Sequence, residues 1–328
     1  MSAVASPLLS VRDLRIVFDG RHGPLTALDG ISFDIAPGEI LGVVGESGAG
    51  KSLTGTAVIG LLDPPGRISG GSIHLDGRRI DDLPPEPMRK LRGRQIGAIF
   101  QDPLTSLHPL LTVGDQLVET ILTHLPVGKV QARKRALDLL KEVGIPAAET
   151  RIDQYPHQFS GGMRQRVVIA LALCAEPKLI IADEPTTALD VSIQAQITTL
   201  LKRLCREHGT AIMLVTHDMG VIAETADRVA VMYAGRIVEI GPVAEVTRRP
   251  HHPYTAGLMA SIPSVHTRNA VLSQIDGAMP RLNAIPEGCS FNPRCGFASE
   301  LCREHKPGLP VSAHAAACHF PLMEPAHA

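Results

Sequence analysis

The sequence predicts an α/β fold: a mostly parallel sheet with some antiparallel strands, an inserted helical block, and a small cysteine-rich C-terminal extension. Three observations predict it. Apolar runs of strand length alternate with helical stretches, the pattern of parallel strands covered by helices. One such run, Ile40–Val44, opens directly into the glycine-rich stretch Gly45–Ser52. Composition then shifts near Arg249–Pro253, and residues 251–328 hold 7 of the 14 His and four of the six Cys.

Taken in order, residues 8–18 and 31–35 alternate as half-buried strands do. Ile40–Val44 reads as a buried strand, and the stretch after Ser52 to about Leu62 as a helix. Residues 72–75 form a short strand closed by an Asp76–Gly77 turn. Ile96–Phe100 is a strand, and 112–123 and 129–143 are helical, the second stopped by Gly144. A helix follows Ser160–Gly162. Leu179–Asp183 is a continuous apolar strand ending in acid. A helix over 190–208, a strand over 211–216, a helix from about 218 and strands near 228–233 and 236–240 complete the body. The expected domains are 1–250, with a helical subdomain at about 103–176, and an accessory domain at 251–328. A domain that small makes little core of its own and favours a metal or another crosslink.

Composition excludes several classes. Lys+Arg is 32 against Asp+Glu 33, which argues against a dedicated nucleic-acid binder. With 7 Phe, 3 Tyr and no Trp, an aromatic base-stacking platform is not expected. The longest apolar run, Val167–Ala175, is half the ~18 residues of a membrane span. The N-terminal stretch lacks a basic start followed by an apolar core, so no signal peptide is expected and the chain is placed in the cytoplasm. Structural disulfides are not expected there. Cys174 and Cys205, on helical stretches, are expected to be packed thiols.

The chemistry is concentrated in a few motifs. Gly45-Glu46-Ser47-Gly48-Ala49-Gly50-Lys51-Ser52 fits G-x-x-x-x-G-K-[ST] in full, between a strand and a helix. Glycines let the backbone curl and aim its N–H groups at a phosphate, and the following helix adds its positive end. Lys51 suits the β- and γ-phosphates, and the Ser52 hydroxyl suits Mg²⁺. Leu179–Glu184 delivers two acids to a strand's C-terminal end. Asp183 suits the Mg²⁺ shell, and Glu184 a general base acting on water. Ser160-Gly161-Gly162-Met163 opens a helix with a second anion-binding terminus. One nucleotide needs one cradle, so the second suits a nucleotide held by another subunit.

Together these segments resemble the ATP-binding cassette ATPases, and the fold implied is their type of P-loop NTPase. The family's LSGGQ-like signature stands here as Phe159-Ser-Gly-Gly-Met163. Gln101 resembles the Q-loop glutamine, Ala188-Leu-Asp190 the D-loop, His217 the switch histidine and Phe18 the adenine-stacking aromatic. The segments QDPLTSLHP, YPHQFSGGMRQRV, ADEPTTALDV, MYAGRIVEIG and HPYTAGLM are similar to the D-type ATPase subunits of dipeptide and oligopeptide importers. Phe159 and Met163 stand for Leu and Gln of the signature, and His108 for the branch's usual Asn.

The resemblance implies ATP with Mg²⁺, the ion held by Ser52, Gln101 and Asp183. It implies catalysis by Glu184 and His217. ATP is held between this chain's loop and a partner's signature, the partner being a second ATPase of F type. It also implies two membrane permeases docking near Gln101, a peptide-binding protein, and a peripheral place on the cytoplasmic face of the inner membrane. Other cargo, such as nickel or heme, and a soluble cassette working on nucleic acid or ribosomes are the alternatives. A single cassette without a heptad run or a basic block speaks against the last.

The tail cysteines Cys289, Cys295, Cys302 and Cys318 are spaced C-x₅-C-x₆-C-x₁₅-C, unlike zinc ribbons or ferredoxin runs. Similar importer subunits are associated with a [4Fe–4S] cluster, which the resemblance implies here. Zn²⁺ with His305 or His319 is the alternative. His251 and His252 are read as linker residues, and the remaining tail histidines as surface residues, with His319 singled out.

Overall fold

The computed structural model describes residues 6–21, 23–187, 189–262 and 274–322. The chain divides into two compact units whose segments interleave. The first comprises Met1–Leu9, Ile35–Ile40 and Leu75–Val215, and the second Ser10–Asp34, Leu41–His74 and Thr216–Ala328.

The first unit is built on parallel strands Ile96–Ile99, Leu179–Asp183 and Ala211–Thr216, with Ile96 opposite Leu179 and Asp183 opposite Val215. Leu179–Ala182 are all buried, as a strand covered on both faces requires. Between the first two strands run the helices Pro103–Ser106, Val113–His124, Lys129–Glu142, Ala148–Arg151 and Gly161–Leu173. Thr112 caps the second of these by accepting the Asp115 N–H at 3.1 Å. Lys129–Glu142 buries Ala132, Ala136, Leu139 and Leu140, one stripe at helical spacing. Gly144 follows it at φ +78, where a side chain is strained. Val191–His208 is capped by the Asp190 carboxylate and followed by the left-handed Gly209.

In the second unit Ile40–Val44 pairs in parallel with Arg228–Tyr233, which pairs antiparallel with Arg236–Pro242. Ala315–Ala316 adds antiparallel to Glu239 and Ile240. Gly23–Ile35, Leu9–Gly20 and Gly66–Leu75 lie side by side in another sheet. The helix Met219–Thr225 presses so closely on Gly42 that a Cβ there would lie 2.6 Å from Ile222 Cδ1.

The extension is tied to the sheet by Glu239. This carboxylate has no exposed surface and accepts the N–H groups of His251 and His252 at 2.7 and 2.9 Å, with His314 Nε2 at 2.6 Å. The His251 and His314 rings stack with centroids 3.8 Å apart. These histidines are therefore not a linker or a free surface, because a buried carboxylate must be met by donors and they supply them. Helices Pro85–Leu91, Val243–Arg248 and Pro253–Ala260 are additions to the sequence reading. Strands Gly23–Ile35 and Gly66–Leu75 are longer than expected.

Candidate functional site

The phosphate-type loop lies in the second unit. It leaves the buried strand Ile40–Val44 and ends where the helix Lys51–Val58 begins. Gly45, Gly48 and Gly50 take φ of +156°, +83° and +102°, which side chains rarely adopt. At Gly45 a Cβ would also lie 2.2 Å from the Met232 carbonyl oxygen, so glycine is demanded twice over. The Lys51 side chain is buried, and its ammonium donates to the carbonyls of Gly45 at 2.8 Å and Glu46 at 3.0 Å. Ser47, Gly48 and Ser52 are exposed, whereas Ala49 is buried. A loop with a cation folded into its centre and a helix start behind it is suited to an anion.

Glu46 is engaged at every polar group. Its N–H donates to the Tyr254 hydroxyl at 2.9 Å, and its carboxylate meets the Arg294 guanidinium at 2.9 and 3.1 Å. Sequence reasoning gave neither residue a role: Tyr254 lies within the HPYTAGLM segment and Arg294 beside Cys295, but no spacing links either to the loop. Tyr233, Tyr254 and Phe291 pack around them, with Tyr233 4.7 and 5.2 Å from the other two ring centres. Burial pushes the Tyr254 phenol up, so it stays protonated. Phe18, also in this unit, is half-buried against Gly66.

The acidic motif lies in the first unit. Asp183 ends its strand half-buried, and Glu184 follows at φ +46, a conformation that costs a non-glycine residue and clusters at functional positions. The Glu184 N–H is held by the Val215 carbonyl at 2.8 Å. Its carboxylate accepts from Gln101 Nε2 at 3.0 Å and Thr187 Oγ1 at 2.8 Å. The structure thus brings Gln101 and Glu184 together, and it adds Thr187, which the motifs did not suggest. A carboxylate so oriented can accept a proton from water.

Ser160 caps the helix Gly161–Leu173 by accepting the Met163 N–H at 3.4 Å. Ser160 and Gly161 are exposed. The two glycines differ. A Cβ on Gly162 would meet Ile193 Cγ2 at 2.8 Å, whereas on Gly161 it meets only Leu189 Cδ2, at 3.8 Å. Gly162 is required by packing; Gly161 leaves the backbone open to a ligand. Asp190 serves as a helix cap, and Ala188 of the expected D-loop lies outside the described residues. In the second unit His217 is exposed directly after its strand, and Asp218 caps the next helix.

The four tail cysteines line one small, largely apolar cavity with His252, Phe291, Phe297, His319 and others. Burial raises the Cys289, Cys295 and Cys318 thiols, and neighbouring cysteines add to it. His252 is 1% exposed, and its Nδ1 accepts the Tyr254 N–H, leaving Nε2 buried without a hydrogen-bond partner. Burial lowers its pKa to about 4, so the ring is neutral. His319 lines the cavity too, while its Nε2 reaches the His305 carbonyl at 2.9 Å. Cys174 and Cys205 are fully packed, as expected.

Known proteins place these features. Residues 28–187 match the family model described as ABC transporter, and 238–302 that of the oligopeptide/dipeptide transporter C-terminal region. The dipeptide transport ATP-binding protein DppD of Haemophilus influenzae is 47% identical over 97% of this chain and 96% of its own. The oligopeptide transport ATP-binding protein OppD of Salmonella typhimurium is 48% identical over 98% and 96%. Among solved structures, the dimeric ATP-binding cassette MJ0796 bound to ADP and Pi matches with a TM-score of 0.64 and 30% identity, covering 72% of this chain and 98% of that one. CbiO1 from Clostridium perfringens, part of the complex cbiONQ, matches with the same TM-score at 33% identity, over 73% and 90%. With near-full-length relatives at this identity, a family model matched over residues 28–187 and a fold shared with cassette ATPases, the chain belongs to the ABC transporter family.

Proposed function

We propose that this chain is the ATP-hydrolysing subunit of a dipeptide or oligopeptide importer. The loop Gly45–Ser52, with the buried Lys51 ammonium at its centre, carries the proposal. The loop N–H groups and Lys51 bind the β- and γ-phosphates, and Phe18 stacks on adenine. Ser52, Gln101 and Asp183 would hold Mg²⁺, which would neutralise phosphate charge when bound. Glu184, oriented by Gln101 and Thr187, takes the proton of the attacking water. His217 contacts the γ-phosphate. Ser160, Gly161, Gly162 and Met163 present their helix start to the nucleotide of a partner ATPase, with Asp190 beside it as the D-loop acid.

The partners proposed are a second ATPase of F type, two permeases and a peptide-binding protein. Phe100, Leu104 and Leu110 support a docking surface near Gln101, since they are 45%, 62% and 77% exposed. No described helix is long and apolar enough to cross a membrane, consistent with a peripheral subunit on the cytoplasmic face of the inner membrane.

For the tail we propose a [4Fe–4S] cluster on Cys289, Cys295, Cys302 and Cys318. Their shared cavity supports it, as does the neutral His252, whose Nε2–H is available to a thiolate sulfur. Among the described residues, one group of three potential ligand residues has its donor atoms within 4.8 Å of one another, Glu239 with His251 and His314, and no cysteines are in it. A tetrahedral zinc needs sulfurs about 3.8 Å apart, whereas a cluster sets iron and sulfide between them. Bound there, the cluster would supply a covalent crosslink to a segment with little core.

Glu184→Gln tests the function. Expected is near-complete loss of ATP turnover in the assembled transporter, with ATP binding kept. Unchanged turnover overturns the assignment of the base. For the tail, about four irons and four sulfides per chain, purified without oxygen, are expected; zinc alone would put Zn²⁺ there instead.

A further inference from the structure

Arg294 stands one residue before Cys295, at the end of the 3₁₀ turn Asn292–Arg294. Its side chain is only 6% exposed. Nη1 donates to Glu46 Oε2 at 2.9 Å and Nη2 to Oε1 at 3.1 Å, a fork closed on both carboxylate oxygens. Nε and Nη2 also donate to the carbonyls of Asp276 and Ile275, at 2.8 and 3.1 Å. The guanidinium lies 5.8 and 6.0 Å from the Tyr233 and Phe291 ring centres. Such a cation is held from every side.

Its partner is in an unusual place for an acid. Glu46 is the second residue of a loop whose N–H groups and Lys51 are there to attract an anion. A bare carboxylate at that point would oppose the charge of the phosphates. The fork neutralises it and fixes its direction, while Tyr254 fixes the Glu46 N–H.

We propose that Arg294 is a positioning residue for the phosphate loop: through Glu46 the C-terminal region sets how tightly the loop holds ATP. The inference rests on the ATP-binding reading of that loop. Lysine keeps the charge but not the planar fork, so the two functions of Arg294 separate by substitution.

The test is calorimetric titration of ATP into the full-length chain, with turnover at saturating ATP in the assembled transporter. Arg294→Gln is expected to raise the ATP Kd about 10-fold with saturated turnover unchanged, a loss of about 1.4 kcal/mol. Arg294→Lys is expected to raise it about threefold. Adding Glu46→Gln to Arg294→Gln removes the repelling charge, and is expected to return the Kd to within about threefold of the unaltered chain. A purely structural role would lower the melting temperature without this rescue. An unchanged Kd in either Arg294 variant, or no recovery in the double variant, overturns the proposal. If Arg294→Gln does not fold, Arg294→Lys decides. An unaltered chain that binds no ATP overturns the nucleotide reading itself, and this proposal with it.

Discussion

Replacing Glu239 by Gln removes one charge from the interior and little else. The carboxylate is fully buried and holds three donors, the N–H groups of His251 and His252 and the His314 ring. The amide oxygen can serve the two donors that meet at Oε1. The amide NH₂ then faces the His252 N–H, donor against donor. One charge-assisted hydrogen bond is lost, worth about 1.5–3 kcal/mol, and donors left buried without a partner cost about 1–3 kcal/mol more. Together these come to about 2.5–6 kcal/mol. The measurement is thermal unfolding followed by circular dichroism, with limited proteolysis in parallel. Expected is a fall of at least about 5 °C in melting temperature, with cleavage appearing first within residues 274–322. An unchanged melting temperature and an uncut C-terminal region would refute the assignment of Glu239 as the anchor.

Two further expectations follow from the geometry. Gly161→Ala makes only an ordinary contact with Leu189 and is expected to keep or raise the melting temperature while abolishing turnover, whereas Gly162→Ala displaces Ile193 and is expected to cost about 1–3 kcal/mol; full turnover in Gly161→Ala would refute the open-backbone role. Burial pushes the Cys174 thiol up to about 12, above its unfolded value, so its contribution to stability is complete below pH 9 and is lost as pH rises from 9 towards 12. Urea melts at pH 8 and 10 should differ by on the order of 1 kcal/mol from this group and by less in Cys174→Ala.

The strand and loop that carry Lys51 were legible in the sequence because their chemistry is local. A buried strand, three left-handed glycines and a helix start occupy one short segment, and each requirement selects a residue type. The acid strand Leu179–Asp183 was legible for the same reason. What escaped was contact across the sequence. Glu46 sits 208 residues from Tyr254 and 248 from Arg294, and no spacing announces such a pair. His252 was misread because a His-His-Pro run looks like connection, whereas its ring caps a helix and faces the cysteine cavity. Pro85–Leu91 drew no reading from the sequence, although its Pro85 stands in a first helical turn, where proline is tolerated. The first half of Gly23–Ile35 escaped because it is largely exposed up to Thr26, so no alternation marks it.

The two-residue pairing of Ala315–Ala316 with Glu239 and Ile240 has a consequence for anyone shortening this chain. It occupies the outer rim of Arg236–Pro242, a strand whose Ile237–Gly241 core is otherwise apolar and buried. Cutting the chain after residue 250 would bare that rim, and an unpaired strand rim recruits other copies into intermolecular sheet. The shortened protein would also lose all three donors to the buried Glu239 carboxylate, so self-association would add to a loss of stability, and its solubility would fall with concentration.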